Sequence, residues 1–325
     1  MKHDLRLIAA STCVLASAML GQAAHATGVA AGTDITNVAT ATYTSGTGTS
    51  TVSSNTVTVK VDELLDVAVG SLTSSPVSAG SSAAVLAYSV TNSGNGNEAF
   101  NLTADPAVSG NAFNGTIQAV AIDSNGNGTY EPGVDTLVSN SAAGPVLAAD
   151  QTVRVLVLVD LPGGATDAQT SQVRLTAAAV TGTGTPGTVF AGRGDGGVDA
   201  VVGASHATGN ALGSLIASLA TVTLTKSAAI ADPFGGSSPV PGSVVTYSLL
   251  AHAAGTGTAN GVHVTDAIPT GTTYMAGSLT LGGTGLTDAA DGDAGTASAS
   301  GIDVSLGSFA GGAPDRTITF QVTIN

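Results

Sequence analysis

Short runs in which apolar and polar residues alternate recur along most of this chain, and they constrain its fold more than any other feature. The last eleven residues, 315–325, alternate in this way up to the final Asn325. A period of two places every second side chain on the same face of an extended strand. Val and Thr dominate the runs, whereas Gly, Asn, Asp and Ser separate them, as in strands joined by turns. The pattern therefore predicts an all-β protein.

The first 26 residues have the organisation of a secretory signal peptide. Lys2 and Arg6 supply positive charge, residues 7–20 are mostly apolar, and Ala24-His25-Ala26 provides small residues at a cleavage site. A short membrane anchor is the alternative, but the apolar stretch is shorter than the ~20 residues that a span requires. We therefore expect cleavage near Ala26, no membrane span, and a protein that is secreted and extracellular or held at the cell surface.

The composition of the remaining chain limits its sources of stability and its partners. The only cysteine, Cys13, lies in the signal segment, so the mature chain forms no disulfide. Its stability then depends on sheet packing, metal ions or assembly. The chain has 22 acidic and 8 basic residues, a net charge of −14. This charge disfavours nucleic acid and anionic lipid as partners and attracts divalent cations.

The spacing of strand-like and glycine-rich stretches predicts a modular chain. The run Val153–Val159 is almost entirely apolar and is expected to be a central strand. Residues 182–218 are rich in glycine, which is costly to order, and are predicted to be a loose connection. The predicted segments are the signal peptide at 1–26, an extended strand segment at 27–62, a first β-sandwich at 63–181, a glycine-rich linker at 182–218 and a second β-sandwich at 219–325.

Residues 264–274, which read V-T-D-A-I-P-T-G-T-T-Y, carry a specific resemblance. Together with the segments around them, from about 219 to 325, they resemble the conserved immunoglobulin-like repeat of bacterial and archaeal surface proteins, a domain of unknown function. Residues 80–103 resemble the start of the same repeat more faintly. The resemblance covers about a third of the chain and implies two immunoglobulin-like β-sandwiches in tandem. The chain departs from the usual family turn at 251–255.

Two further segments of that family stand in an unusual place here. Segments of the forms G-T-x-I-x-N-x-A and S-N-x-V-x-V-x-V commonly follow the last strand of the repeat, but in this chain they come first, at 32–39 and 54–61. One hypothesis is that they complete the last sheet of another copy, which would make the protein a head-to-tail building block. The alternative is that they are edge strands of the first sandwich or the end of a degraded earlier repeat. The residues expected at the assembly contact are Ile35, Val38, Val57 and Val59 of the donor and Phe320, Val322 and Ile324 of the acceptor.

Residues 123–135 have the oxygen-rich, glycine-curved pattern of a calcium loop. Oxygen side chains at the first, third and fifth positions precede a glycine, whereas the usual glutamate at the twelfth position is replaced by Val134. The predicted ligands are Asp123, Asn125, Asn127, Thr129, Glu131 and Asp135. The same residues are favoured in a hairpin turn, which is the alternative. A second acidic cluster, Asp288, Asp291 and Asp293, is interpreted either as another calcium site or as a solvated loop.

No catalytic motif is found, so the sequence predicts a protein that is not an enzyme. The predicted function is a subunit of a surface filament or matrix that assembles with itself by donating β-strands. The alternative is a monomeric, secreted, calcium-stabilised adhesin or carbohydrate-binding module with a surface receptor or polysaccharide as its partner. The aromatic content of 3% and the absence of Trp count mildly against sugar binding.

Overall fold

The computed structural model describes residues 28–325, and these residues form 26 β-strands and a single-turn 3-10 helix at Asp195–Gly197. The prediction of an all-β chain is confirmed. The predicted signal peptide lies outside the described residues. Among residues 28–325 there is no helix with the length and apolarity needed to cross a bilayer.

The N-terminal segment folds back on itself. Its strands are β1 (Asp34–Asn37), β2 (Thr40–Ser45), β3 (Gly48–Ser53) and β4 (Val57–Lys60). β1 pairs antiparallel with β4, and β2 pairs antiparallel with β3. The four strands therefore make one long hairpin, with an irregularity where the two pairs meet. We call residues 33–60 the N-terminal hairpin.

Two five-stranded sheets form the first sandwich. Its strands are β5 (Glu63–Leu65), β6 (Val67–Ser71), β7 (Val77–Ala79), β8 (Ala84–Asn92), β9 (Glu98–Asp105), β10 (Thr116–Ile122), β11 (Thr136–Val138), β12 (Ala142–Leu147), β13 (Thr152–Asp160), β14 (Thr170–Ala179), β15 (Val189–Phe190), β16 (Ala200–Val202) and β17 (Thr208–Ala217). One sheet has the order β11-β10-β13-β8-β6, and the other has the order β12-β9-β14-β17-β7. A small third sheet, β15-β16-β5, lies beside them.

The core of the first sandwich follows from the alternation in its strands. β8 and β14 alternate buried and partly exposed residues along their length, so each turns one apolar face inward. β13 is buried on both faces along Val155–Val159, as its apolar run predicts for a central strand. Tyr88 on β8 is fully buried, and its hydroxyl donates a 2.8 Å hydrogen bond to the carbonyl of Val173 on β14. This bond joins the two sheets through the core.

The prediction of a loose linker at 182–218 is wrong. β17 pairs antiparallel with β14 from Thr208 to Ile216, and β16 pairs parallel with β5. The first sandwich therefore extends to Ala217 rather than ending at residue 181. Some glycines here permit close packing instead of flexibility, because a Cβ added at Gly213 would lie 2.5 Å from the hydroxyl oxygen of Tyr88.

The second sandwich has one large and one small sheet. Its strands are β18 (Ala220–Ala231), β19 (Val244–Gly255), β20 (Thr258–Ala267), β21 (Thr272–Tyr274), β22 (Thr280–Leu281), β23 (Thr284–Gly285), β24 (Gly295–Ser298), β25 (Gly301–Ala310) and β26 (Arg316–Ile324). The large sheet has the order β18-β19-β26-β22-β23, with β21 also pairing with β26. The small sheet has the order β20-β25-β24. Leu249, Phe309, Phe320 and Val322 are among the fully buried or nearly buried side chains between them.

β26, the strand that carries the predicted acceptor residues, lies inside the large sheet. β26 pairs with β19 on one side and with β21 and β22 on the other. Phe320 and Val322 are fully buried in the core, and Ile324 is partly buried against it. The residues of β26 that were predicted to lie at the assembly contact therefore hold their own sandwich together.

Candidate assembly site and acidic loops

The N-terminal hairpin has an apolar face that no part of the described chain covers. Every residue from 33 to 60 is exposed, and Ile35, Val57 and Val59 are 49%, 56% and 60% exposed. Ile35 lies opposite Val59, and Asn37 lies opposite Val57, so these four residues share one face. Val38 is also exposed, but it follows β1 at the irregularity and does not continue this alternation. The structure thus groups three of the four predicted donor residues.

The opposite face of the hairpin is polar. Asp34 and Lys60 are paired residues on that face, and their side chains form a 3.1 Å ion pair. Thr36 and Thr58 lie opposite each other between the same two strands. The hairpin is therefore amphipathic, which is the pattern of a sheet that packs on one side and faces water on the other.

The base of the hairpin is attached to the first sandwich through a turn at 92–97. Asn95 donates hydrogen bonds from its side-chain amide to the carbonyls of Val29 and Asp62. It also accepts a 3.0 Å bond from the amide of Ala31 at its own carbonyl. Its side-chain oxygen accepts a 2.6 Å bond from the amide of Leu64. These bonds fix where the hairpin leaves the body, while the hairpin itself stays clear of it.

The second sandwich is open along one side. In the part of the chain that the structure describes, β18 pairs only with β19, and β20 pairs only with β25. Leu224 of β18 is paired with Ala251, which is fully buried, yet Leu224 is itself 48% exposed. A core-facing residue that is half exposed indicates that the sandwich lacks cover at this point. We call the opening between β18 and β20 the open side.

Lys226 and Asp266 connect the two sheets at the open side. Lys226 is paired with the buried Leu249, and Asp266 is paired with the buried Ile302, so both charged side chains lie on the core faces of their strands. Lys226 Nζ lies 2.6 Å from Asp266 Oδ2. Sequence reasoning did not single out either residue. The signal was present, because the alternation of β18 places Lys226 in phase with Val222 and Leu224.

The predicted calcium loop is held together by its own hydrogen bonds. Asp123 is buried and accepts bonds of 2.7 Å from the amide of Gly126 and 2.8 Å from the amide of Gly128. Arg154 NH1 forms a 3.1 Å ion pair with the same carboxylate. Burial raises the pKa of Asp123, but the two glycine amides and Arg154 outweigh this effect, so the net pKa lies below its usual value.

The other predicted ligands take part in the same turn. Asn125 and Asn127 both donate amide hydrogen bonds to Glu131 Oε2, at 2.5 and 2.8 Å. Asp135 accepts bonds from the amides of Ser124 and Glu131. The amide of Thr129 donates to the Asn127 side chain. The structure therefore brings the six predicted residues into one loop that has the geometry of a hydrogen-bonded turn.

In the second acidic cluster, Asp288 has different hydrogen-bond partners from Asp291 and Asp293. Asp288 accepts hydrogen bonds from the hydroxyl of Tyr274 and the amide of Gly277, whereas Asp291 and Asp293 bond to Thr287. Amide bonds from Thr287 and then Gly295 lower the pKa of Asp293. Across residues 28–325, His, Cys, Asp and Glu side chains form no group of three or more suited to a metal ion.

Comparisons with known proteins show no family for the chain. No family model matches it, and no curated protein matches it. One similar solved structure is that of a protein from Corynebacterium diphtheriae described as membrane-anchored. The match has 9% sequence identity, covers 90% of this chain and 89% of that chain, and has a TM-score of 0.22. A likeness at this level supports no argument about fold or function, and the resemblance to the surface-protein repeat stays a prediction.

Proposed function

We propose that this protein is a non-enzymatic, secreted structural subunit that assembles head to tail into an extracellular filament or matrix. The observation that carries the proposal is the N-terminal hairpin, which exposes every residue from 33 to 60. An isolated two-stranded hairpin is only marginally stable in water. An amphipathic hairpin whose apolar face is exposed is therefore expected to pack against a partner surface.

Apolar burial would supply the driving force for this contact. Ile35, Val57 and Val59 are each about half exposed or more in the subunit. Fully burying a side chain of this size contributes about 1.5–3 kcal/mol. The unpaired amides and carbonyls at the outer edges of the hairpin would gain hydrogen bonds from the same event.

A second copy of the chain is the partner that fits these features. The hairpin brings two strands with one apolar face, and the open side of the second sandwich has two strand edges and a half-exposed core residue, Leu224. Exposed strand edges are templates for pairing with another chain. Because donor and acceptor are different surfaces of one chain, the contact is heterologous and generates a chain of subunits unless its rotation closes a ring.

The experiment compares full-length mature protein, residues 27–325, with two point variants of β4. Val59→Asp places a charge on the apolar face, and Thr58→Asp places the same charge on the opposite face as a matched control. Filaments viewed by electron microscopy are expected for the unmodified protein and for Thr58→Asp, and not for Val59→Asp. A variant lacking residues 27–61 should remain monomeric.

Two outcomes would overturn the proposal. One is assembly of the truncated variant as readily as the unmodified protein. The other is an unmodified protein that stays monomeric at high concentration in the presence of calcium, in which case the monomeric adhesin replaces the filament subunit as the better explanation.

Calcium is part of the proposal as a stabilising ion for the loop at 123–135. Three carboxylates, those of Asp123, Glu131 and Asp135, belong to this loop, and Arg154 forms an ion pair with one of them. The excess of negative charge favours a cation there. Oxygen ligands from carboxylates, amides and carbonyls suit Ca²⁺.

A further inference from the structure

The ion pair between Lys226 and Asp266 is unusual for its position. Charged side chains on the core faces of strands are rare, because burying a charge is costly unless it is paired. The side chains of Lys226 and Asp266 are 38% and 15% exposed. Asp266 Oδ2 is buried, and Lys226 Nζ at 2.6 Å is its close partner.

Aromatic rings lie around the amine. Lys226 Nζ lies 4.3 Å from the centre of the Tyr247 ring and 6.0 Å from the centre of the Phe320 ring. The two rings contact each other, with their centres 5.2 Å apart. The amine therefore faces apolar surface on one side, while the lysine side chain remains 38% exposed.

Asn37 is the one polar side chain among the residues of β1 and β4 that are paired on the apolar face. It lies opposite Val57, next to the pair formed by Ile35 and Val59. Its side-chain amide makes no hydrogen bond to any described residue, and a buried amide without a partner is costly. If this face covers the open side of another subunit, Asn37 is the hairpin residue that needs a polar partner, and Lys226 and Asp266 are the polar groups that the open side offers.

We propose that Lys226 of one subunit and Asn37 of the next form an isopeptide bond, with Asp266 transferring the proton. This inference rests on the proposed assembly and extends it from a contact to a covalent link. Nζ of neutral Lys226 attacks Cγ of Asn37, the bond between Cγ and Nδ2 breaks, and ammonia leaves. The amine and the carboxamide thereby become a secondary amide and one molecule of ammonia, with no oxidant or reductant needed.

Asp266 has the position that the reaction requires. An amine attacks only after losing its proton, and a carboxylate 2.6 Å from Nζ can accept that proton directly. Covering the pair with the hairpin removes water, which favours the neutral acid and amine over two charges. The protonated Asp266 then returns a proton to the departing nitrogen. In the free subunit the amide is absent, so the lysine and the aspartate remain an ion pair.

The test uses full-length mature protein, residues 27–325, assembled and then boiled in detergent. We expect a ladder of covalent oligomers on a denaturing gel, and a branched peptide joining Lys226 to Asn37 that is lighter than the sum of its parts by one ammonia. Lys226→Arg keeps a cation beside Asp266 but cannot form the bond, so its filaments should form and then dissociate to a single band. Asn37→Ala and Asp266→Asn should lose the ladder as well.

Asn55→Ala and Lys60→Arg are matched controls on the same hairpin and should keep the ladder. Filaments of unmodified protein that dissociate entirely to single subunits would refute the covalent link and leave the assembly intact. A ladder that survives Lys226→Arg, or a branched peptide found only within single subunits, would also refute it. If no filaments form, the assembly itself is refuted, and the link with it.

Discussion

At the scale of single residues, buried carboxylates organise the loops of the first sandwich. Asp123 collects two glycine amides and Arg154, and Glu98 accepts bonds from the amides of Ala99, Val180 and Thr181. Each carboxylate thus substitutes for backbone partners that the irregular segments lack. These residues shape the turns through hydrogen bonds to the backbone.

Asp123→Ala is expected to destabilise the protein by about 1–3 kcal/mol, because the glycine amides and Arg154 lose their buried partner. If calcium binds the loop, millimolar calcium should also raise the melting temperature of the unmodified protein and not that of the variant. Thermal unfolding measured with calcium and with a chelator tests both. Asp105→Asn is the control, since its 3.9 Å pair with Arg174 is exposed and worth little. If calcium changed the melting temperature of all three proteins equally, the loop would be a hydrogen-bonded turn and not a calcium site.

The pKa of Glu63 is shifted in the opposite direction to that of Asp123. It is 2% exposed, and its Oε1 atom has no hydrogen-bond partner. Burial raises its pKa, the amide of Asp195 lowers it, and the charges of Glu98 and Asp195 raise it further, so the net pKa lies above its usual value. Folding therefore favours the protonated form of this group.

The stability that protonated Glu63 contributes is fully present below the ordinary carboxyl pKa of the unfolded chain. It is lost as the pH rises through the raised pKa of the folded protein. Glu63→Gln is expected to raise stability at pH 7 by about 1 kcal/mol, since no buried charge remains. Its advantage should disappear at low pH. Denaturant unfolding at a series of pH values measures this. A variant that is less stable than the unmodified protein at every pH would show that the carboxylate itself is required.

At the scale of strands, the close fit between β8 and β17 depends on a missing side chain. Gly213→Ala would place a methyl group 2.5 Å from the hydroxyl oxygen of the buried Tyr88. Overpacking of this kind costs about 1–3 kcal/mol. Gly163→Ala is the matched control, because nothing lies within 4 Å of its Cβ position. Denaturant unfolding of both variants should separate them, and equal stabilities would mean that the sheets can move apart without cost.

The sequence predicts strands well where alternation and burial coincide. β8, β14 and β26 show the period of two that their paired positions require, and the apolar run of β13 matches its central place. Residues 182–218 were misinterpreted because glycine has the same local signature in a flexible linker and in a tightly packed strand. Only the position of Tyr88 on another strand reveals why Gly213 is needed.

For the residues of the proposed assembly, too, local alternation predicts which side chains share a face but not which distant segments meet. The phase of β1 and β4 predicts that Ile35, Val57 and Val59 share a face, and it also places Asn37 there. The position of the proposed acceptor could not be predicted, because the open side lies between β18 and β20, which belong to different sheets. Lys226 and Asp266 lie 40 positions apart, and their contact depends on how two sheets pack rather than on local pattern.

At the scale of the whole molecule, Asp167 joins the two sandwiches. Its carboxylate accepts a 2.8 Å bond from the amide of Leu219, at the connection between the sandwiches. It also accepts bonds from the amide and the hydroxyl of Thr256, at 3.0 and 2.7 Å. The amide of Leu219 and then the hydroxyl of Thr256 lower the pKa of Asp167. One side chain of the first sandwich thus holds both the connecting segment and a turn of the second.

Asp167→Ala is expected to loosen this joint without unfolding either sandwich. Because the pKa of Asp167 is lowered on folding, its contribution is complete above the ordinary carboxyl pKa and is lost as pH falls through the lowered value. Small-angle X-ray scattering should show a broader range of shapes for the variant at neutral pH, and for the unmodified protein only in acid. Thr166→Ala, one position away, is the control. Identical scattering from the variant and the unmodified protein at neutral pH would show that Asp167 is not the constraint.

The joint at Asp167 has a mechanical consequence for the proposed filament. The donor hairpin is attached to the first sandwich and the acceptor belongs to the second, so every load passed along the filament crosses this joint once per subunit. Covalent links would set the force at which the filament breaks, whereas the carboxylate of Asp167 and its partners at Leu219 and Thr256 would set how readily it bends. Tensile strength and bending stiffness would then be determined by different residues and could change independently.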